Sequence, residues 1–117
     1  MASFAFVLPV LPGQEENVRR VSEAIGGSGP LREKYEASRR RLGINEEKVW
    51  FPRTPIGQAL VAYWETDDPQ RALREMADSQ DEVDNMLKQF IETTAPALDP
   101  IKEQPLSNEL ILESPAR

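Results

Sequence analysis

The chain contains no cysteine and no histidine among its 117 residues. Disulfides, thiolate nucleophiles and zinc sites built from these two residue types are therefore excluded. The absence of imidazole also removes histidine ligation of haem iron and the serine-histidine triad. Any catalysis has to use carboxylates, lysine, arginine, tyrosine, serine, threonine, the backbone or an external cofactor, and we expect the protein to hold no resident cofactor.

Positive charge is in short supply, since 14 lysine and arginine residues stand against 20 acidic residues and the net charge is -6. A protein that binds the phosphate backbone needs an excess of basic residues, so we expect no nucleic-acid partner. The exceptions are Arg19-Arg20 and the run Arg39-Arg40-Arg41, but glutamates interleave with both on the same segment. This mixture favours solvated helix faces over a binding patch.

Long apolar runs are also missing. The longest uncharged stretch, residues 1–14, is interrupted by Pro9 and Pro12, lacks a basic start and is too short to span a bilayer. We therefore expect no membrane association and a cytoplasmic protein. The length predicts a single domain over residues 1–117, with its core in 2–98 and an extended C-terminal segment in 99–117.

Two segments are apolar on both faces of a strand, "SFAFVLPVL" near the start and "QALVAYW" near the middle of the chain. Strands of this kind are buried on both sides, so both are predicted to be central in a sheet. The segment "EKVWFPRTPIG" precedes the second of them and forms a hairpin with it that turns near Pro55-Ile56-Gly57. Proline cannot donate to a sheet ladder, so Pro52 and Pro55 predict that this arm is an edge.

Helical patterns fill the region between the two apolar strands. The first helix is predicted to start near Gln14, after a Pro-Gly turn, and a glycine-rich break follows at residues 26–30. A second helical run carries Leu31, Tyr35 and Leu42 on one face, with Gly43 as its C-terminal cap. The break leaves open whether residues 26–45 form one helix or two.

The segment after the hairpin is also helical in pattern. Asp67 or Asp68 is predicted to cap a helix that has Pro69 at its first position. Ser79 and Glu82 have the spacing of a capping box, which restarts the pattern and predicts two helices or one kinked helix ending before Pro96.

The C-terminal segment contains a short apolar alternation, "ELILES". Residues 109–113 are interpreted as a short edge strand of the same sheet, a strand swapped onto another copy, or a tail. The sequence leaves these three alternatives open.

The order of elements predicts an α+β fold of the ferredoxin-like type, β-α-β-β-α-β, with a four-stranded antiparallel sheet and helices on one face. The first and third strands are central in that arrangement, which agrees with their apolar character on both faces. Because one layer of helices covers only one face, the second face needs another cover. We therefore expect a homodimer in which two sheets pack face to face around a twofold axis.

The segments "FVLPVLPGQEENVRRV", "ALVAYWETDDP" and "NELILES" together resemble the dimeric α+β barrel superfamily, and in particular the antibiotic-biosynthesis-monooxygenase-like proteins. The resemblance covers nearly the whole chain as a pattern of elements. It implies a pocket between the sheet and the helices that is lined by aromatic and polar side chains. It also implies two candidate activities, cofactor-independent oxygenation and isomerisation of small aromatic compounds. A shared fold does not show which of them applies.

Six aromatic or polar residues are candidates for lining such a pocket. They are Tyr35, Trp50, Arg53, Tyr63, Trp64 and Asn85. Alternation along a strand predicts that Trp50 and Arg53 point to opposite faces, and that Tyr63 and Trp64 do so too. Arg53 is interpreted either as an anion-binding group or as a charge that protects the sheet edge.

Acidic residues cluster around the two helices that follow the hairpin, at Asp67, Asp68, Asp78, Asp81, Glu82 and Asp84. The cluster lacks the spacing of a calcium-binding loop, so helix capping explains it better and we expect no metal site. Three functions remain as hypotheses. The first is a dimer that binds a small, mostly apolar ligand; the alternatives are a cofactor-independent monooxygenase or isomerase, and a packed interaction module without a ligand.

Overall fold

A computed structural model of the protein describes residues 2–96 and 108–115. In chain order its elements are β1 (Ala2–Pro9), α1 (Glu15–Gly26), α2 (Pro30–Arg41), β2 (Ile44–Trp50), β3 (Arg53–Thr54), β4 (Gly57–Thr66), α3 (Pro69–Asp78) and α4 (Glu82–Thr94). The predicted α+β class is confirmed, and the described residues form four strands and four helices. The predicted boundary between core and C-terminal segment, at residues 98 and 99, lies outside the described residues.

The sheet is antiparallel throughout. Its order is β1-β4-β2, and the two-residue β3 pairs with the first residues of β4 to close the hairpin at Pro55-Ile56. The second apolar strand, β4, is central and β2 is an edge, as the prolines predicted. Together with the helices, this arrangement is compatible with a ferredoxin-like fold.

The C-terminal segment does not supply the fourth strand. Residues 108–115 are exposed and contain neither helix nor strand, so the edge strand considered for 109–113 does not form. The fourth strand of the sheet is β3 instead. Among the described residues β1 consequently pairs only with β4, and its prediction as a central strand is wrong for this part of the chain. The Asn108 side chain donates to the Ala5 carbonyl at 2.7 Å, which places the segment beside β1.

The helices cover one face of the sheet, which we call the inner face. Five of its apolar side chains, all buried, are Phe4, Leu8, Leu60, Ala62 and Trp64. Leu8 and Leu60 pack against Val18 of α1, and Trp64 packs against Leu73 and Met76 of α3. On the opposite, outer face no helix of the described residues lies over the sheet, and Val7 remains 58% exposed there. Within this part of the chain the apolar side chains of β1 are thus covered on one face alone.

Local signals explain most helix boundaries. Gly43 has φ +76°, a conformation that favours glycine, and ends α2 as predicted. Asp68 caps α3 by accepting from the Arg71 amide at 3.0 Å. The capping box predicted at Ser79 is wrong, because Asp81 caps α4 by accepting from the Val83 amide at 3.0 Å. No helix in the described ranges is long and apolar enough to cross a membrane.

Candidate functional site

A cavity of about 620 Å³ lies between the inner face of the sheet and the helices. Most of its wall is apolar, with side chains that include Phe6, Leu8, Val18, Val21, Leu60 and Phe90. A smaller part of the wall is polar and is formed mainly by α2 and β2. Pockets of this size that combine an apolar wall with a few polar groups are typical of small-molecule sites.

Glu47 lies at the polar end of the cavity, and a β-bulge places it there. Ile44 pairs with Thr66 of β4, whereas Glu46 pairs with Glu65 and Glu47 with Trp64, so Asn45 is an extra residue in β2. Each insertion of one residue exchanges the two faces of a strand. Without the bulge, Glu47 would point to the outer face of the sheet.

The Glu47 carboxyl accepts hydrogen bonds from two aromatic side chains. Trp64 Nε1 donates to its Oε2 at 2.6 Å, and the Tyr35 hydroxyl donates to its Oε1. Arg39 Nη1 also approaches Oε2, at 3.4 Å. Burial raises the pKa of Glu47 to about 7, although the hydrogen bond from Trp64 acts in the opposite direction. Near neutral pH this carboxyl can therefore both take up and release a proton.

Arg39 is the second charged group of the site and is 8% exposed. Its guanidinium lies over the Tyr35 ring, 4.8 Å from the centroid, and its Nη2 is 3.5 Å from Asp84 Oδ1. Burial lowers the pKa of Arg39 to about 10; the nearby Asp84 opposes this change and Arg41 reinforces it. Arg39 is still charged at neutral pH. Its Nε is buried and has no hydrogen-bond acceptor within residues 2–96 and 108–115.

Asp84 lies on α4 and holds α2 in position over the sheet. Its carboxylate is fully buried and accepts from the Ser38 hydroxyl and from Arg41, besides its contact with Arg39. Two predictions are corrected here. Asp84 is not a capping residue, and Arg39 does not belong to a solvated helix face, because its side chain turns inward to this carboxylate and to Glu47.

Two of the six predicted site residues meet at Glu47, namely Tyr35 and Trp64. Tyr63 lies on the outer face instead, where its hydroxyl is 3.1 Å from Ser3 Oγ and donates to Glu65 at 2.7 Å. The predicted divergence of Tyr63 and Trp64 is thus confirmed.

The other three predicted residues contribute less to this arrangement. Trp50 is 53% exposed and pairs with Val61, which places it on the outer face of the sheet, and it borders the cavity only at its rim. Arg53 is exposed in β3, with its guanidinium 5.6 Å from the centroid of the Phe51 ring. Asn85 is exposed on α4 and donates to the Gln80 carbonyl at 3.3 Å. Arg53 and Asn85 do not line the cavity.

Sequence reasoning missed the two charged residues at the centre of the site. A signal existed for Arg39, because it lies four residues after Tyr35 and therefore shares its helix face. For Glu47 the strand pattern was misleading, since the extra residue Asn45 shifts the alternation.

The site thus combines a largely apolar wall with a carboxyl and a guanidinium that contact each other at one end. Within residues 2–96 and 108–115, no three acidic side chains converge as metal ligands would. Comparisons of the chain with protein-family models, with curated proteins and with solved structures find no match.

Proposed function

We propose that the protein binds a small, mostly apolar molecule in the cavity, with the polar end of that molecule at Glu47. The observation that carries this proposal is a partly buried carboxyl in the wall of a cavity of about 620 Å³ whose remaining wall is largely apolar. A packed interaction module would need no such space, because protein interiors are filled to the density of organic crystals.

Hydrogen-bond capacity at Glu47 supports the same proposal. A carboxylate has about four acceptor positions, and here Tyr35, Trp64 and the more distant Arg39 occupy three of them. One position remains for a ligand. The cavity reaches this end of the carboxyl, since Tyr35, Arg39 and Glu47 all line it.

The proposal can be tested by titrating the protein with 1-octanol and following the amide signals by NMR. We expect saturable shifts at cavity residues and loss of binding in Val21→Phe, which fills the cavity from α1. Glu23→Phe adds the same ring to an exposed position of the same helix and should bind like the unchanged protein. Equal binding by both variants, or no saturable shifts at all, would contradict the proposal.

An enzymatic role is the second candidate, and the pKa of Glu47 near 7 favours it. A general base works best when its pKa lies close to the working pH. Of the two enzymatic alternatives, isomerisation of a small aromatic or unsaturated compound needs only proton transfer, which Glu47 can perform. The test is whether a bound carbon acid exchanges hydrogen for deuterium from the solvent. Exchange in the unchanged protein and none in Glu47→Gln would support this role.

We also propose that the domain is of the ferredoxin-like type and forms a homodimer through the outer face. A row of apolar side chains, Val7, Val61 and Trp50, crosses the three main strands on that face. Lys48 and Glu46, which form an ion pair at 3.2 Å, lie on β2 beside this row. A face with both charge signs near its apolar centre suits a second copy of itself.

A further inference from the structure

The α2 side of the cavity has more hydrogen-bond donors than the described residues use. Arg39 Nε is buried without an acceptor in that part of the chain, and Nη1 reaches Glu47 only at 3.4 Å. Arg40 also lines the cavity, and it is exposed. Because Nε has almost no accessible surface, the donors that a ligand can reach are Arg39 Nη1, which has only a long contact with Glu47, and the exposed guanidinium of Arg40; both favour a ligand that brings an anionic acceptor.

With Glu47 protonated, the charged residues that line the cavity leave one positive charge in excess, although the chain as a whole carries -6; they are three arginines, Arg32, Arg39 and Arg40, against two glutamates, Glu36 and Glu46. Arg41 does not line the cavity and is paired with both Asp81 and Asp84, whereas Arg39 is paired with Asp84 and Glu47. Glu36, which also lines the cavity, is already paired with Arg32 at 2.9 Å. An anionic group therefore fits this end better than a cationic one.

We propose that the ligand is an apolar carboxylic acid, whose carboxylate lies between Arg39, Arg40 and a protonated Glu47 and whose hydrocarbon part lies against the apolar wall. This inference rests on the proposed function and names the chemical class of the ligand. Arginine suits the task because its planar guanidinium matches the geometry of a carboxylate.

Binding then takes up one proton. Glu47 gains it from solvent, and its new hydroxyl donates to the ligand carboxylate, so no other bond changes. The titratable or charged groups that contact Glu47, directly or through Arg39, are Tyr35, Arg39 and Asp84. Of these, Arg39 is a cation at neutral pH, and the ligand carboxylate replaces Glu47 as its anionic neighbour.

The pH dependence follows from this proton uptake. A carboxylic acid in water is ionised above about pH 5. Glu47 loses its proton as the pH rises through about 7. Affinity for the ligand should therefore be highest between these values and fall by roughly tenfold for each pH unit above about 7.

The experiment compares octanoate with 1-octanol by calorimetry on the full chain, in buffers of different ionisation heat. Octanoate should bind roughly tenfold tighter than 1-octanol at about pH 6, take up about half a proton at about pH 7 and approach one proton at about pH 8. Its affinity should be lower at about pH 8, whereas that of 1-octanol should change little.

Two variants make the test specific. Glu47→Gln cannot lose a proton, so its octanoate affinity should no longer fall between about pH 6 and about pH 8, while Glu23→Gln on α1 should behave like the unchanged protein. Arg40→Gln should weaken octanoate binding by roughly two- to fivefold and leave 1-octanol binding unchanged. Arg74→Gln, an exposed arginine of α3, is the matched control.

The possible results separate the two proposals. If 1-octanol and octanoate bind equally well at every pH, the acid ligand is contradicted and the apolar cavity site stands. If neither binds, the proposed function itself is contradicted. If octanoate is preferred but the preference and its pH dependence persist in Glu47→Gln, the role of Glu47 in recognising the acid is contradicted. The number of protons that the unchanged protein takes up on binding tests the same role without a variant.

Discussion

Trp64 Nε1 donates to Glu47 Oε2 at 2.6 Å, across the pair of strands β4 and β2. The bond joins the most buried aromatic residue of the sheet to the carboxyl at the polar end of the cavity. It satisfies the indole N–H, which needs a partner when tryptophan is buried. It also favours the ionised form of Glu47 against the effect of burial.

Replacing Trp64 should therefore change the titration of Glu47. In Trp64→Phe the carboxyl loses a donor that favours its charged form, and its pKa should rise above the value in the unchanged protein. Carbon-detected NMR of the glutamate carboxyls measures this directly. Trp50→Phe is the control. Among the described residues Trp50 makes no hydrogen bond to the Glu47 carboxyl, so this variant should leave the Glu47 titration unchanged.

The pKa of Glu47 also predicts how stability depends on pH. Its value rises from the ordinary 4.5 to about 7 on folding, so between these values the folded state binds more protons than the unfolded state. The free energy of unfolding contributed by this group is then fully present below pH 4.5 and decreases as the pH rises through about 7. The complete change is about 3 kcal/mol.

Urea denaturation of the protein and of Glu47→Gln at a series of pH values isolates this contribution. Because glutamine does not titrate, the unchanged protein should lose stability relative to the variant as the pH rises from about 5 to about 8. If the difference in the free energy of unfolding between the two proteins stays constant over this range, folding does not raise the pKa of Glu47 and the prediction is contradicted.

Asp84 should be a main determinant of stability. Asp84→Ala leaves Arg39 buried without its carboxylate and separates α4 from α2, so we expect a loss of about 3–5 kcal/mol in the free energy of unfolding. Glu82→Ala on the same helix removes an exposed ion pair with Lys34 and should cost less than about 1 kcal/mol. Chemical denaturation that shows equal losses would contradict the role given to Asp84.

The outer face of the sheet should govern the oligomeric state. Light scattering after size exclusion should give twice the chain mass at micromolar concentration. Val7→Lys places a charge on the apolar row and should yield a monomer with unchanged secondary structure. Ile56→Lys changes a residue that is 98% exposed at the hairpin turn and should remain dimeric. A monomeric unchanged protein would contradict the proposed interface.

Much of the fold was predictable because its signals are local. Pro52 and Pro55 identified the edge arm of the hairpin, and Asp68 with Pro69 identified the start of α3. The C-terminal segment was ambiguous because the alternation of Leu110 and Leu112 fits an edge strand, a swapped strand or a tail, and so short a pattern does not determine which of them forms.

The candidate site was predicted less well because it depends on one inserted residue and on long-range pairing. Tyr35 and Trp64 were recognised from residue type and face. Glu47 was not, since the bulge at Asn45 that turns it inward has no signature in the sequence. Arg39 looked like part of a charged run, and its inward position is explained by the buried Asp84, forty-five residues further along the chain, together with Glu47.

Binding in the cavity is tested most directly by locating bound 1-octanol through intermolecular NOEs in the labelled protein. We expect NOEs from the octyl chain to the methyl groups of Val18 and Leu60 inside the cavity. NOEs to Val7 and Val61 on the outer face instead, or none to the cavity wall at saturating 1-octanol, would contradict it.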